Sequence, residues 1–176
     1  MKMIRSLLPT LILGVFLLGA VTASAQRGTP NIAPDKQFGI GVFTGGSFTG
    51  GGITGQYAIS PSLQLGVALG VQGSSANSTT VTNYNTEIYG RFLFEGSVNP
   101  FLQATFGRTS QDFTSGTVTT TTTSNSLAVG FGLEYFFNHN VGVQAMVNVV
   151  KLNFDPSSTE FGFGSGRVGL EWYFNP

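Results

Sequence analysis

Several stretches of this chain alternate with a period of two, and no other period fits them. In residues 62–72, SLQLGVALGVQ, Leu63, Leu65, Val67, Leu69 and Val71 share one face, while Gln64, Gly66, Ala68, Gly70 and Gln72 share the other. Residues 141–149 repeat the pattern, with Val141, Val143, Ala145, Val147 and Val149 set against Gly142, Gln144, Met146 and Asn148. Successive side chains of a strand point to opposite faces. A helix gathers neither set on one side, and glycines at this density would each cost a helix about 1 kcal/mol. The alternation predicts strands over about 37–45, 51–59, 62–72, 83–94, 100–109, 126–137, 140–150 and 161–174.

The links between these strands alternate in length. SP, EGSVN and NH join the second to the third, the fourth to the fifth and the sixth to the seventh strands. The other links are longer: TGGSFTGGG, GSSANSTTVT, TSQDFTSGTVTTTTTS and KLNFDPSSTE. Short turns at one end and long loops at the other describe an eight-stranded antiparallel up-and-down β-barrel, an all-β fold. If the barrel crosses a membrane, the short turns are periplasmic and the long loops extracellular.

Charge decides which face of such a barrel meets water. Only 9% of the residues are charged, against roughly a quarter in soluble domains. Within strands the charges keep one parity. Arg91, Glu134 and Glu171 each precede a strand-ending phenylalanine by three residues, and Gln56 stands in the same relation to Ile59. Glu87 and Arg167 lie four residues farther along the same faces. A soluble barrel would have to solvate itself with this sparse, glycine-rich face. A transmembrane barrel turns Leu, Val and Phe to lipid and packs the polar face into a lumen that, with eight strands, has room for little beyond side chains. An arginine facing lipid at mid-depth would cost about 2–4 kcal/mol. The lumen is therefore expected to hold a polar network of Gln56, Glu87, Arg91, Glu134, Arg167 and Glu171. Near the strand ends, Tyr57, Phe94, Phe101, Phe137, Trp172 and Phe174 are expected to form a periplasmic aromatic girdle, with Phe92 and Tyr135 beside them.

Residues 1–25 read as a secretory signal: Lys2 and Arg5, an apolar run from Leu11 to Val21, then small residues at Ala23 and Ala25, with cleavage before Gln26. The apolar run is shorter than the roughly 20 residues a spanning helix needs. Residues 26–36 follow as a polar periplasmic lead-in and 37–176 as the barrel. Without the leader, six basic residues face eight acidic ones, which argues against a nucleic-acid partner. The absence of cysteine excludes disulfides and thiolate metal sites.

Phrases such as NPFLQATFG, VGFGLEYFFNHNVGVQA and GRVGLEWYF resemble the strands of the small OmpA/OmpX-type barrels, in the outer membrane protein beta-barrel domain group. The resemblance covers the whole mature chain. The closing strand resembles the C-terminal signal read by the outer-membrane assembly machinery, and a monomer in the bacterial outer membrane, surrounded by its lipid, is expected.

Chemistry beyond the barrel is sparse. His139 sits in a short turn with no serine beside it, so no catalytic set is expected. Glu87, Glu134 and Glu171 could be taken for a metal-binding cluster, but Arg91 and Arg167 accompany them and ion pairing is the expectation, with neither metal nor cofactor. GGSFTGGG lacks the lysine of a phosphate loop. The Ser/Thr-rich loops 73–83 and 109–126 are the candidate surface for a partner, and TVTTTTT (117–123) favours extended backbone that could project as a ribbon. The expected role is structural, or surface interaction through these loops. The alternative is a small porin-like channel for small solutes.

Overall fold

A computed structural model describes residues 34–45, 48–76, 78–138, 140–154 and 157–174, with backbone alone at 48–50, 157, 161, 163 and 164. Eight strands follow in chain order: β1 (Gln37–Gly45), β2 (Phe48–Ser60), β3 (Leu63–Ala76), β4 (Thr79–Leu93), β5 (Asn99–Ser115), β6 (Val118–Asn138), β7 (Val141–Phe154) and β8 (Ser157–Phe174). Each pairs antiparallel with the next, and β1 pairs with β8 from Phe38↔Phe174 to Gly45↔Arg167, which closes the barrel. Register partners followed around the wall from Phe101 are Gly132, Met146, Arg167 and then Gly45 at the far end of β1. The strands are therefore staggered and tilted, as closure requires. The signal peptide and His139 lie outside the described residues.

The two faces separate as the parity of the sequence dictates. Ile40, Leu65, Val67, Ile88, Leu102, Val129, Val168 and Trp172 are exposed on the outside. On β6 the outward row runs from Leu127 through Val129, Phe131 and Tyr135 to Phe137. Those ten residue steps cover about 33 Å of strand, and a tilt of about 40° reduces this to about 25 Å, the height of a transmembrane apolar band. Tyr57, Phe94, Phe137, Trp172 and Phe174 ring the short-turn end on this outer face. Paired rings line it, with Phe38–Tyr57 centroids 4.8 Å apart and Tyr135–Phe137 centroids 5.3 Å apart.

Phe101 is a correction to that girdle. It is 1% exposed and lies inside the barrel. It shares parity with Gln103 and Thr105, which also point inward, and its register partner Gly132 leaves the space its ring fills.

At the other end the strands run farther than the alternation of apolar residues predicts. Segments 73–83 and 109–126, expected as loops, are mostly ladder: β3 pairs with β4 up to Ala76↔Thr79, and β5 with β6 up to Ser115↔Val118. Cross-strand polar pairs replace apolar packing there, including Ser75–Thr80 at 3.2 Å, Thr114–Thr119 at 3.0 Å and Thr121 donating to Asp112 at 2.7 Å. Described pairing of β2 with β3 stops at Ile53↔Leu69, and that of β6 with β7 at Ser126↔Asn153. The upper parts of β3–β6 thus form a four-stranded sheet standing above the rest of the rim.

Candidate functional site: the filled lumen and the sheet above it

The lumen centres on Arg91, which is 1% exposed. Its Nη1 lies 3.2 Å from Glu134 Oε2 and 3.7 Å from Glu171 Oε2. The remaining donors reach amide oxygens: Nε to Gln103 at 3.1 Å, Nη1 to Gln64 at 3.3 Å and Nη2 to Gln144 at 2.5 Å. A guanidinium carries five N–H donors in a rigid fork, so one side chain can tie together β3, β4, β5, β6, β7 and β8. On the short-turn side the ring of Phe101 lies 4.4 Å from the guanidinium carbon, and on the other side the ring of Tyr89 lies 5.4 Å from it.

The carboxylates are held from the far side as well. Glu171 accepts from Gln144 Nε2 and from Gln56 Nε2, both at 2.5 Å. The Tyr173 hydroxyl lies between the two acids, 2.9 Å from Glu134 Oε1 and 2.7 Å from Glu171 Oε2, and also accepts from Gln56. Tyr89 donates to Gln56 Oε1 at 2.7 Å. Two buried acids close to one buried cation would be untenable without such donors, because an unpaired charge in a low-dielectric interior costs several kcal/mol.

Strand β1 contributes no side chain to this cluster, and that has a steric reason. Its inward residues here are Gly39 and Gly41, over which Gln56 of β2 reaches Glu171 and Tyr173 of β8. A Cβ on Gly41 would sit 2.8 Å from Glu171 Cγ and 2.9 Å from the Leu170 carbonyl oxygen. The seam where the barrel closes is thus bridged by side chains passing across a bare strand.

Arg167 forms the second charged centre. Its Nη1 is 2.9 Å from Glu87 Oε2, its Nη2 reaches Met146 Sδ at 3.3 Å, and Phe43 lies 4.8 Å beneath its guanidinium carbon. At the short-turn end, Leu93, Phe101, Phe136 and Tyr173 are buried together. The lumen is therefore layered: an apolar plug, the Arg91 cluster, then the Arg167–Glu87 pair toward the raised sheet.

All six residues of the anticipated lumen set face inward. The structure joins Gln56, Arg91, Glu134 and Glu171 in one cluster and Glu87 with Arg167 in another. Gln64, Tyr89, Gln103, Gln144 and Tyr173 were missing from the set, although Tyr89 and Tyr173 share strand parity with Arg91 and Glu171, and the three glutamines lie on the glycine-bearing face of their strands. Among the described residues no group of three His, Cys, Asp or Glu side chains could hold a metal ion.

This architecture meets its counterpart in comparisons with known proteins. The family model described as "Outer membrane protein beta-barrel domain" matches residues 13–174. The chain belongs to that family. It is accordingly an outer-membrane protein, and the exposed apolar belt is its lipid-facing wall. Among solved structures, it is similar to the N-terminal β-barrel domain of Pseudomonas aeruginosa OprF, at 14% identity and a TM-score of 0.62 over 80% of this chain and 98% of that one. Neisserial surface protein A gives 20% identity and a TM-score of 0.55, covering 78% and 96%. Ail of Yersinia pestis, in complex with the heparin analogue sucrose octasulfate, gives 15% and 0.50, covering 78% and 97%. These likenesses are of fold. None of the descriptions names an enzymatic activity, and comparison with curated proteins finds no match.

Proposed function

We propose that this outer-membrane barrel has a structural and surface-interaction role, exercised through the sheet that β3–β6 raise above the membrane. The observation that carries this reading is the contrast between the two ends. The body of the barrel is filled with interlocked side chains, while Val71–Ala76, Thr79–Tyr84, Ser110–Ser115 and Val118–Asn125 extend beyond the lipid band with polar residues on both faces. By the plan of such barrels, this end is extracellular and the short turns are periplasmic.

The reading includes a monomer surrounded by outer-membrane lipid. It is delivered by the 1–25 leader and handed to the assembly machinery through its C-terminal strand. Ail was solved with a sulfated ligand, but the raised sheet here carries Asp112 as its charged residue, with Arg108 just below it, so a polyanion is not the partner its charge favours. The alternative, a small-solute channel, is disfavoured by the buried Arg91 cluster and the apolar plug.

The test is deletion of 111–124, which joins Ser110 to Asn125 and leaves the lower β5–β6 ladder intact. The variant should still form a barrel whose unboiled band migrates faster than the boiled one, and should lose binding of intact cells to surfaces that the wild type binds. Unchanged surface binding would overturn the interaction role. In planar bilayers the wild type should give no steady single-channel steps. Such steps would favour the channel.

A further inference from the structure

The inward face of the raised sheet has a composition of its own. Its rows, read across β3–β6, are Gly70, Asn85, Thr109 and Ser124, then Gln72, Asn83, Gln111 and Thr122, then Ser74, Val81, Phe113 and Thr120. Beyond Glu87 no inward position on these four strands is charged. Gln111 Nε2 donates to Asn83 Oδ1 at 2.9 Å, and Thr109 Oγ1 donates to Asn85 Oδ1 at 2.7 Å. Two bonded amides keep N–H and carbonyl capacity beyond the bond between them, whichever way they are turned. Phe113 stands two residues beyond Gln111 on the same face, 47% exposed.

A hydroxyl both donates and accepts, so an adjacent donor and acceptor suit neighbouring hydroxyls. An exposed aromatic ring beside them suits a ligand with an apolar C–H face. These rows hold no Arg or Lys, which recognition of sulfate or phosphate calls for. Phe113 and its register partner Val81 are the apolar residues of these rows, too small a patch for a lipid or an amphipathic helix. A pyranose ring has the required combination of apolar face and hydroxylated edge.

We propose that this face binds a neutral oligosaccharide, with Phe113 stacking on a sugar ring and Asn83 and Gln111 bonding its hydroxyls. The proposal rests on the surface-interaction reading and names the chemical class of its partner. Tyr84, in the outward-facing row of Val71, Ser110 and Thr123, provides a control aromatic on the opposite side.

The experiment applies the purified full barrel, in detergent micelles, to an array of neutral and sulfated oligosaccharides. Titrations with cellotetraose, maltotetraose and a heparin-derived tetrasaccharide follow. Neutral glycans should bind, with affinity insensitive to salt. Phe113→Ala should weaken binding about tenfold, equivalent to about 1.4 kcal/mol, and Gln111→Ala should also weaken it, while Tyr84→Ala leaves it unchanged. Each variant should keep its fast-migrating unboiled band. Absence of neutral-glycan binding, binding confined to sulfated glycans, or equal binding by Phe113→Ala would each overturn the proposal. If deleting 111–124 abolishes cell-surface binding while no neutral glycan binds, the surface role stands and the sugar assignment fails.

Discussion

Replacing Arg91 with methionine should be the most damaging single change in the lumen. Met keeps much of the apolar stem but removes the guanidinium that serves Glu134 at 3.2 Å, Glu171 at 3.7 Å and three glutamines. Two buried acids are left without their cation. Breaking a buried pair in this way costs about 3–5 kcal/mol. With a urea slope of about 2 kcal/mol per M, 4 kcal/mol moves the unfolding midpoint by about 2 M. The assay is urea titration of the barrel in lipid vesicles, scored by the fraction of the fast-migrating unboiled band. Arg167→Met is the comparison, because it strands one carboxylate, Glu87, in a pair whose side chains are 8% and 12% exposed. Its midpoint should fall by about half as much. The triple variant R91M/E134Q/E171Q removes the charges together and should recover much of the loss, since well-packed neutral groups often replace buried ions without penalty. If Arg91→Met shifts the midpoint no more than Arg167→Met does, the Arg91 cluster is not the buried electrostatic centre of the barrel. A triple variant as unstable as the single would place the cost in packing instead of charge.

Other changes separate the roles of the two faces. Gly41→Val should block closure of the β1–β8 seam, because even a Cβ there meets Glu171 Cγ at 2.8 Å. Gly55→Ala, whose Cβ finds Val67 Cγ2 at 3.8 Å, should leave the fast-migrating band intact. Val67→Arg, on the lipid face beside Ile88, should cost about 2–4 kcal/mol in vesicle unfolding, and a neutral result would contradict the outward orientation of that row. Phe101→Ala should cost about 3–5 kcal/mol by opening a cavity under Arg91. Phe137→Ala, at a site 62% exposed, should cost far less in the same titration.

The barrel was legible because its two faces obey different chemistry. Leu63 to Val71 and Val141 to Val149 fix the period, and the parity of Arg91, Glu134, Arg167 and Glu171 fixes which face turns inward. Two things escaped that reading. Phe101 was assigned by its place near a strand end, where aromatics also favour the interface. Its side follows instead from Gln103 and Thr105, two and four residues along, and from the space left by Gly132. Of the raised sheet only the extended tendency of TVTTTTT (117–123) was legible, because its strands have no apolar face. Thr119 pairs with Thr114 and Thr121 donates to Asp112 across the ladder, so the alternation that marks a membrane strand vanishes while the ladder continues. Parity shows which residues share the lumen, but not which ones touch. The union of Arg91 with Gln64, Gln103 and Gln144 depends on the stagger of the strands, which the sequence encodes only through the full register.

The closed transmembrane barrel is tested most directly by membrane fractionation followed by gel migration of the protein, with unboiled and boiled samples compared. An outer-membrane location and a faster unboiled band are expected, the mark of a closed barrel that keeps its ladder in detergent. A soluble protein with no difference between the two bands would contradict it. The Leu, Val and Phe face would then have to point inward, and the Arg91 cluster could not be the contents of a lumen.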